Sequence, residues 1–420
     1  MIGAVDQFAR SSTAIRGEGL LCPACAKSTG RIFYKIKNVP AHSVRLVRSF
    51  DDAVTCRRGD ISLAQCQSCG FIWNTAFDPS LLEYIYTDEY EATQTVSETF
   101  NKFHRTLAHK LVNRYDLKGK EVIEIGCGNG EFLQLLRKLE VKGATGFDPA
   151  CREACDDHLG ITLVKDWYSD RYRDIPADFI MSKMVMEHVP DPGRFLKMIR
   201  SSIGKRRTMT FAMMPDMVRI MKIRAFWDIY YEHCSYFTLA ALVRAFRASG
   251  FNVTDFWTDF DAQYTAVAAS PEASSDYTPP ESDNDLRIAQ FEEDVQRVCD
   301  RWSSWIEERR ARQERIVLWG GGSKGVAFLT TVGIDPAQIE FVVDVNEKKN
   351  GTFISGTGQL IVTPEFLQQY RPDHVVVMSP VYLSEISNRL SAMGLRPTLR
   401  SVEAPWADET SAVVQGFRTA

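Results

Sequence analysis

The sequence reads as an α/β chain of two parallel-sheet units behind a small cysteine-bearing module. Three observations carry that reading. Two stretches, one starting at Glu121 and one at Ile316, run from an apolar strand through a glycine-rich loop into a helix. Four of the ten cysteines stand as two C-x-x-C pairs ahead of the first such stretch. A segment rich in proline, serine and acid, SPEASSDYTPPESDND at Ser270–Asp285, separates the two units. The expected divisions are 1–80 for the cysteine module, 81–270 for the central unit, 271–315 for linker and helix, and 316–420 for the smaller last unit.

Composition narrows the class. The chain has 420 residues, 45% of them hydrophobic and 25% charged, enough for more than one core. A net charge of −4 implies no strongly basic face, so no nucleic-acid partner is expected. The first residues lack the apolar stretch of a signal peptide. No apolar run reaches the roughly 18 residues of a membrane span, so no membrane partner is expected either. Paired and scattered cysteines fit a reducing cytoplasm better than a secretory route. The oligomeric state is left open.

Cys22-Pro-Ala-Cys25 and Cys66-Gln-Ser-Cys69 give four thiolates in two knuckles, the spacing that holds structural zinc. Gly70 follows the second pair, as a tight turn requires. Four protein ligands leave no open position for water, so the expected zinc is structural and has no catalytic role. His42 and Cys56 lie between the pairs as substitute ligands. The intervening RIFYKIKNVPAHSVRLVRSF is moderately basic but strongly apolar, which favours a fold-stabilising role over nucleic-acid binding.

The central unit begins with strand Glu121–Ile125, then Gly126-Cys127-Gly128-Asn129-Gly130, then a helix from Glu131. Glycines at alternate positions let backbone approach a ligand closely. The loop lacks the G-x-G-x-x-G spacing that suits a pyrophosphate. Glu124, two residues before the first glycine, is placed to face the amino-acid moiety of S-adenosylmethionine (SAM). The next strand, Ala144–Phe147, ends at Asp148, where an acid can accept both ribose hydroxyls. Asp166 and Trp167, after strand Ile161–Val164, are placed to meet adenine. Gly126, Gly128, Gly130, Glu124, Asp148, Asp166 and Trp167 are thus the expected SAM-binding set. A nicotinamide site or a purely structural loop is the alternative. The expected fold of this unit is the class I SAM methyltransferase, Rossmann-like sheet.

Two later strings bear chemistry. Glu187-His188-Val189-Pro190-Asp191-Pro192 follows strand Phe179–Lys183, at the edge of the sheet where ligands bind. It lines the site or merely turns the chain into the next helix. Trp227–Thr238 reads WDIYYEHCSYFT. A histidine beside an acid and several phenols suits acid–base work near neutral pH. His233 and Glu232 are the candidates, with Tyr236 and Phe237 read as packing.

Beyond the linker, a helix over Leu286–Gln313 carries Ile288, Phe291, Val295, Val298, Trp302 and Trp305 as an apolar stripe. It packs within the chain or forms an oligomer seam. The last unit has strands Ile316–Trp319, Ile339–Val345 and His374–Met378. Its loop Gly320-Gly321-Gly322-Ser323-Lys324-Gly325 lacks the P-loop spacing. Asp344 stands where a ribose ligand would, yet no bound NAD is expected. The loop is either a wall of the substrate cleft near a nucleotide diphosphate or a structural remnant.

In order along the chain, Cys22/Cys25/Cys66/Cys69, the glycine loop, EHVPDP, YYEHCSYF, and GGGSKG with VVDVNEKKNGTFISGTG resemble the three-domain SAM-dependent sugar C-methyltransferases. These have an N-terminal zinc-binding domain, a central SAM domain and a C-terminal Rossmann-like domain, and the resemblance spans nearly the whole chain. It implies a nucleotide-linked keto sugar as small-molecule substrate, for polysaccharide or glycosylated-metabolite biosynthesis. It implies His233 as the base, assisted by Glu232 and Tyr230. A family tyrosine maps best to Tyr90 and next to Tyr86, and a site histidine maps to His188. Met184, Tyr231 and Cys234 depart from the family's string, which bears on the sugar more than on the chemistry. Carbon needs an acidified C–H, so His233 would remove the proton beside the ketone, with Tyr230 or Tyr90 donating to the enolate oxygen. O- or N-methylation of a sugar or small molecule is the alternative. A non-catalytic SAM-binding module is the other, and intact Glu232 and His233 speak against it.

Overall fold

The computed structural model describes residues 20–82, 89–91, 93, 95–151, 154–156, 160–272 and 288–404. The first 19 residues, Tyr86 and most of the Ser270–Asp285 linker lie outside them.

Three sheets make up the strands. The first is antiparallel: β1 (Leu20–Leu21), β2 (Ser28–Pro40), β3 (Arg58–Cys66) and β4 (Ile72–Asn74), in that order. Its last strand comes from far along the chain. β11 (Ser235–Tyr236) pairs with β4, Ser235 opposite Trp73 and Tyr236 opposite Ile72. A strand from the stretch 81–270 thus completes the N-terminal sheet. Backbone pairing draws it there, because Asn74 N–H also bonds the Cys234 carbonyl at 2.9 Å.

The central sheet holds β5 (Glu121–Ile125), β6 (Gly143–Phe147), β7 (Ala154–Asp156), β8 (Ile161–Val164), β9 (Phe179–Lys183), β10 (Met209–Pro215), β12 (Asn252–Asp259) and β13 (Tyr264–Ser270). Their order is β12-β13-β10-β9-β5-β6-β8-β7. The five strands from β10 to β8 are parallel, and β13 enters antiparallel beside β10. Side-chain alternation explains the two-sided burial of β5. Val122 joins the core under helices Glu98–Arg114 and Glu131–Lys138. Ile123 and Ile125 join the opposite core under Pro192–Ile203 and Leu239–Ala248. This is the class I SAM methyltransferase architecture, and it puts the glycine loop after β5 at the mid-sheet switch point.

The third sheet is all parallel, with β14 (Ile316–Trp319), β15 (Phe341–Val343), β16 (Leu360–Val362), β17 (His374–Val377) and β18 (Thr398–Ser401) in the order β16-β15-β14-β17-β18. The stripe of helix Phe291–Ala311 is used up inside the chain. Phe291 meets Tyr34 of the first sheet at 5.1 Å between ring centroids, and Trp302 meets Phe328 of the third unit at 5.2 Å. One apolar core thus runs from Tyr34 and Leu63 through Trp227 and Trp302 to Leu318 and Val376. No helix among the described residues is long and apolar enough to cross a membrane.

Candidate active site

The four paired cysteines converge. Cys22 Sγ lies 3.7 Å from Cys69 Sγ, and Cys25 Sγ lies 3.6 Å from Cys66 Sγ. Tetrahedral zinc with Zn–S of about 2.3 Å needs sulfur edges of about 3.8 Å, so the cage has the size zinc requires. The Cys22–Cys69 thiol pair gives up its first proton readily, which holds Cys69 below the usual thiol range. Both knuckles close by turns, Ala26 N–H to Cys22 C=O at 2.8 Å and Gly70 N–H to Cys66 C=O at 2.9 Å. Gly193, in the first turn of helix Pro192–Ile203, lies under the first knuckle. A Cβ there would stand 2.9 Å from the Ala24 carbonyl. His42 and Cys56 are not in the cluster.

The glycine loop is left-handed at all three glycines, with φ of 74° at Gly126, 54° at Gly128 and 82° at Gly130. At Gly126 a side chain would also overlap Val185. Asp148 ties the loop down: its carboxylate accepts from Gly128 N–H at 3.0 Å and Ala150 N–H at 2.8 Å. Each oxygen keeps a lone pair for a further donor. Glu124 is fully buried, and its Oε1 accepts from Lys183 Nζ while its Oε2 has no partner among the described residues. Burial pushes its carboxyl up, against the pull of Lys183. A buried carboxylate oxygen facing a backbone cradle suits an ammonium group, which is what the amino-acid end of SAM presents.

Asp166, expected at the adenine, has its carboxylate held by Tyr172 OH and the Arg171 guanidinium. Trp167 is half-buried beside it. The buried aromatic of this stretch is Tyr168, edge-on to Phe147 at 5.1 Å with its hydroxyl donating to Ser202 Oγ at 2.9 Å.

The turn after β9 joins this cradle to the candidate base. Within six residues, Lys183 bonds Glu124, Val185 covers Gly126, and Glu187 and His188 reach His233. Met184 takes a left-handed φ of 55° to make the turn. The EHVPDP string divides its work. Glu187 and His188 sit in a 3-10 turn at the site, whereas Asp191 caps the next helix through Arg194 N–H at 2.8 Å.

His233 is buried, and its Nδ1 has no partner among the described residues. Its ring lies 4.0 Å from that of Tyr230 and 4.9 Å from that of His188. Burial, His188 and Lys324 push its pKa well down, so the imidazole is neutral. Burial and the nearby acids push the Tyr230 phenol well up, keeping it a donor. Glu232 points away from His233: its carboxylate accepts from Ser43 N–H at 3.0 Å and from Ser43 Oγ. Its own carbonyl accepts from His188 Nδ1 at 2.9 Å, so Glu232 holds His188 by backbone. Burial pushes Glu232 up to about 7 and Glu187 up to about 8.

The third unit closes one side. Ser323 Oγ lies 2.7 Å from Ser43 Oγ, and Lys324 Nζ pairs with buried Asp228 at 2.9 Å. Asp344 is used internally, accepting from Gly321 N–H at 3.0 Å and Lys349 Nζ at 3.1 Å. Tyr90 bridges Arg45, on the chain leading from Ser43. Its neighbour Glu91 bonds Asn346 at 3.1 Å and Lys348 at 2.8 Å, contacts that overcome burial and hold its carboxyl down to about 2. Ser43, Lys183 and Glu187 are site residues the sequence reading did not assign roles to. A lysine ending the buried strand FIMSK is a visible signal, but nothing in the sequence marks Ser43.

A methyltransferase domain family matches residues 97–255, and a C-methyltransferase C-terminal domain family matches residues 280–396. The C-methyltransferase NovU of Streptomyces niveus is 25% identical over 303 residues, covering 67% of this chain and 72% of its own length. A tRNA U34 carboxymethyltransferase of Campylobacter hominis is 33% identical over 103 residues, covering 21% of this chain and 34% of its own. A SAM-dependent methyltransferase structure from Mesorhizobium loti is 16% identical with a TM-score of 0.31, covering 39% of this chain and 97% of its own. That superposition is too loose to add to the sheet order.

Proposed function

The chain is a SAM-dependent methyltransferase, and from that premise we propose that it methylates carbon, at the position beside the ketone of a nucleotide-linked keto sugar. The product would serve a polysaccharide or a glycosylated metabolite. The observation carrying this reading is the turn Lys183–His188, which touches the SAM cradle at one end and the buried His233 at the other. The matched C-methyltransferase C-terminal family and the likeness to NovU support carbon as the acceptor.

Glu124, Gly126, Gly128, Gly130 and Asp148 would hold SAM, whose sulfonium supplies an electrophilic methyl group. His233 Nδ1 takes the proton beside the ketone. Tyr230 OH donates to the oxygen that becomes the enolate. Glu232, held by Ser43, fixes His188 and keeps the His233 segment in place. The Cys22, Cys25, Cys66 and Cys69 cage fits zinc in a structural role, below the helix that follows the EHVPDP string. Lys324 and Ser323 form a wall of the cleft near the sugar nucleotide, and Tyr90 a second wall.

A nucleotide keto sugar deuterated beside the ketone tests the reading. Methylated product that has lost that deuterium supports it, and full retention refutes it. His233→Asn should lower turnover about 100- to 10,000-fold, the usual worth of a general base, while SAM affinity holds.

A further inference from the structure

We propose that Glu187, His188 and His233 form a second metal site, for a first-row divalent ion of the zinc class, and that filling it silences the enzyme. The silencing rests on the reading of His233 as the base. One ligand atom from each of the three residues lies within 4.8 Å of the others. Nitrogen and oxygen ligands at about 2.0–2.2 Å from zinc stand about 3.3–3.6 Å apart, so side-chain rotations closing about 1 Å complete the site.

The donors are set for a cation. Glu187 and His233 are each 3% exposed, and Glu187 Oε2 and His233 Nδ1 both lack partners among the described residues. A buried polar atom without a partner costs about 1–3 kcal/mol, and a cation that displaces the Glu187 proton satisfies both residues at once. His188 has the outer support of a metal-bound imidazole. Its Nδ1 meets the Glu232 carbonyl at 2.9 Å, which fixes the ring and leaves Nε2 as the ligand. Cys234 N–H bonds the Glu187 carbonyl at 2.9 Å and locks the two strings together. Lys324, the cation beside His233, is met by Asp228 at 2.9 Å, so its charge does not bar a second cation. Two histidines and one carboxylate leave a fourth position open, unlike the closed four-cysteine cage. The ion takes the His233 lone pair that proton removal needs. Metal occupancy and turnover therefore exclude one another.

The test is a cobalt(II) titration of the full-length protein carrying one equivalent of zinc, enough for the four-cysteine cage alone. Expected is one further equivalent of cobalt, with visible d–d absorption and no thiolate charge-transfer band, and turnover falling in step. Glu187→Gln and His188→Gln should each weaken that binding at least about 10-fold. SAM affinity of each variant checks that it is folded. No second equivalent, a thiolate band on it, or variants that bind like the wild type would overturn the site. Binding that needs Glu187 and His188 yet leaves turnover intact would support the site and overturn His233 as the base.

Discussion

Lys183→Met tests the charge design of the cofactor cradle. Lys183 and Glu124 form an ion pair with side chains 9% and 1% exposed. Removing one partner of a buried pair costs about 3–5 kcal/mol. Glu124 can escape part of that by taking a proton, at a cost set by pH. For a carboxyl with an ordinary pKa of ~4.3, protonation costs about 4 kcal/mol at pH 7 and about 2 at pH 5.5. The smaller cost wins, so the variant should lose about 4 kcal/mol at pH 7 and about 2 at pH 5.5. The sign follows from burial. Glu124 is already pushed up in the fold, and further so without Lys183. The penalty is thus absent below the unfolded pKa and grows as pH rises. For a unit of this size the gap amounts to roughly 4–8 °C in melting temperature between the two pH values. A protonated Glu124 also cannot pair with an ammonium, so SAM should bind about 10- to 100-fold more weakly. Glu124→Gln combined with Lys183→Met should regain stability but not affinity. Melting curves at both pH values and SAM calorimetry decide it. Equal destabilisation at pH 5.5 and 7, or a double variant no more stable than the single, would refute the argument.

Other perturbations probe the joints. Ser43→Ala removes the hydroxyl on the Glu232 carboxylate, and turnover should fall about 10-fold with SAM affinity unchanged; unchanged turnover would remove Ser43 and Glu232 from the positioning of the base. Gly325→Ala places a methyl against the Gly320 carbonyl, backbone that cannot step aside. It should lower the melting temperature by the worth of about 1–3 kcal/mol or more, whereas a wild-type melt would show the loop is looser than described. Cys66→Ser should reduce bound zinc below half an equivalent and destabilise the fold, read by metal analysis and melting. A full equivalent in that variant would move the metal elsewhere.

The legible parts of this molecule are the local ones. β5, β8, β9 and β14 have the bounds read from apolar runs, with glycines ending β5 and β14. The SAM loop was visible because alternate glycines have a local cause, a backbone that must turn left-handed at each. Long-range pairings left no such trace. Ser235–Tyr236 is too short to read as a strand, and its partner β4 lies some 160 residues earlier, so only tertiary contact selects it. The same pairing carries Glu232 to Ser43, a residue whose neighbours Ala41 and His42 suggest nothing. Chemical type was legible and direction was not. Glu232 beside His233 reads as an acid–base pair, yet the two lie on a turn closed by His233 N–H to the Tyr230 carbonyl at 3.0 Å, and adjacency there does not aim both side chains at one point. Glu232 therefore binds Ser43, and the carboxylate that shares space with His233 is Glu187, from a different strand's end. Asp166 shows the same limit: its local partners Arg171 and Tyr172 were not legible from its acid character. The proposed base lies at a junction of three sheets, where the deciding contacts run from Ser43 to Glu232 on one side and from Ser43 to Ser323 on the other. A substitution at any of the three should therefore change catalysis without touching the reacting atoms, which is why the Ser43→Ala measurement reaches further than its single hydroxyl.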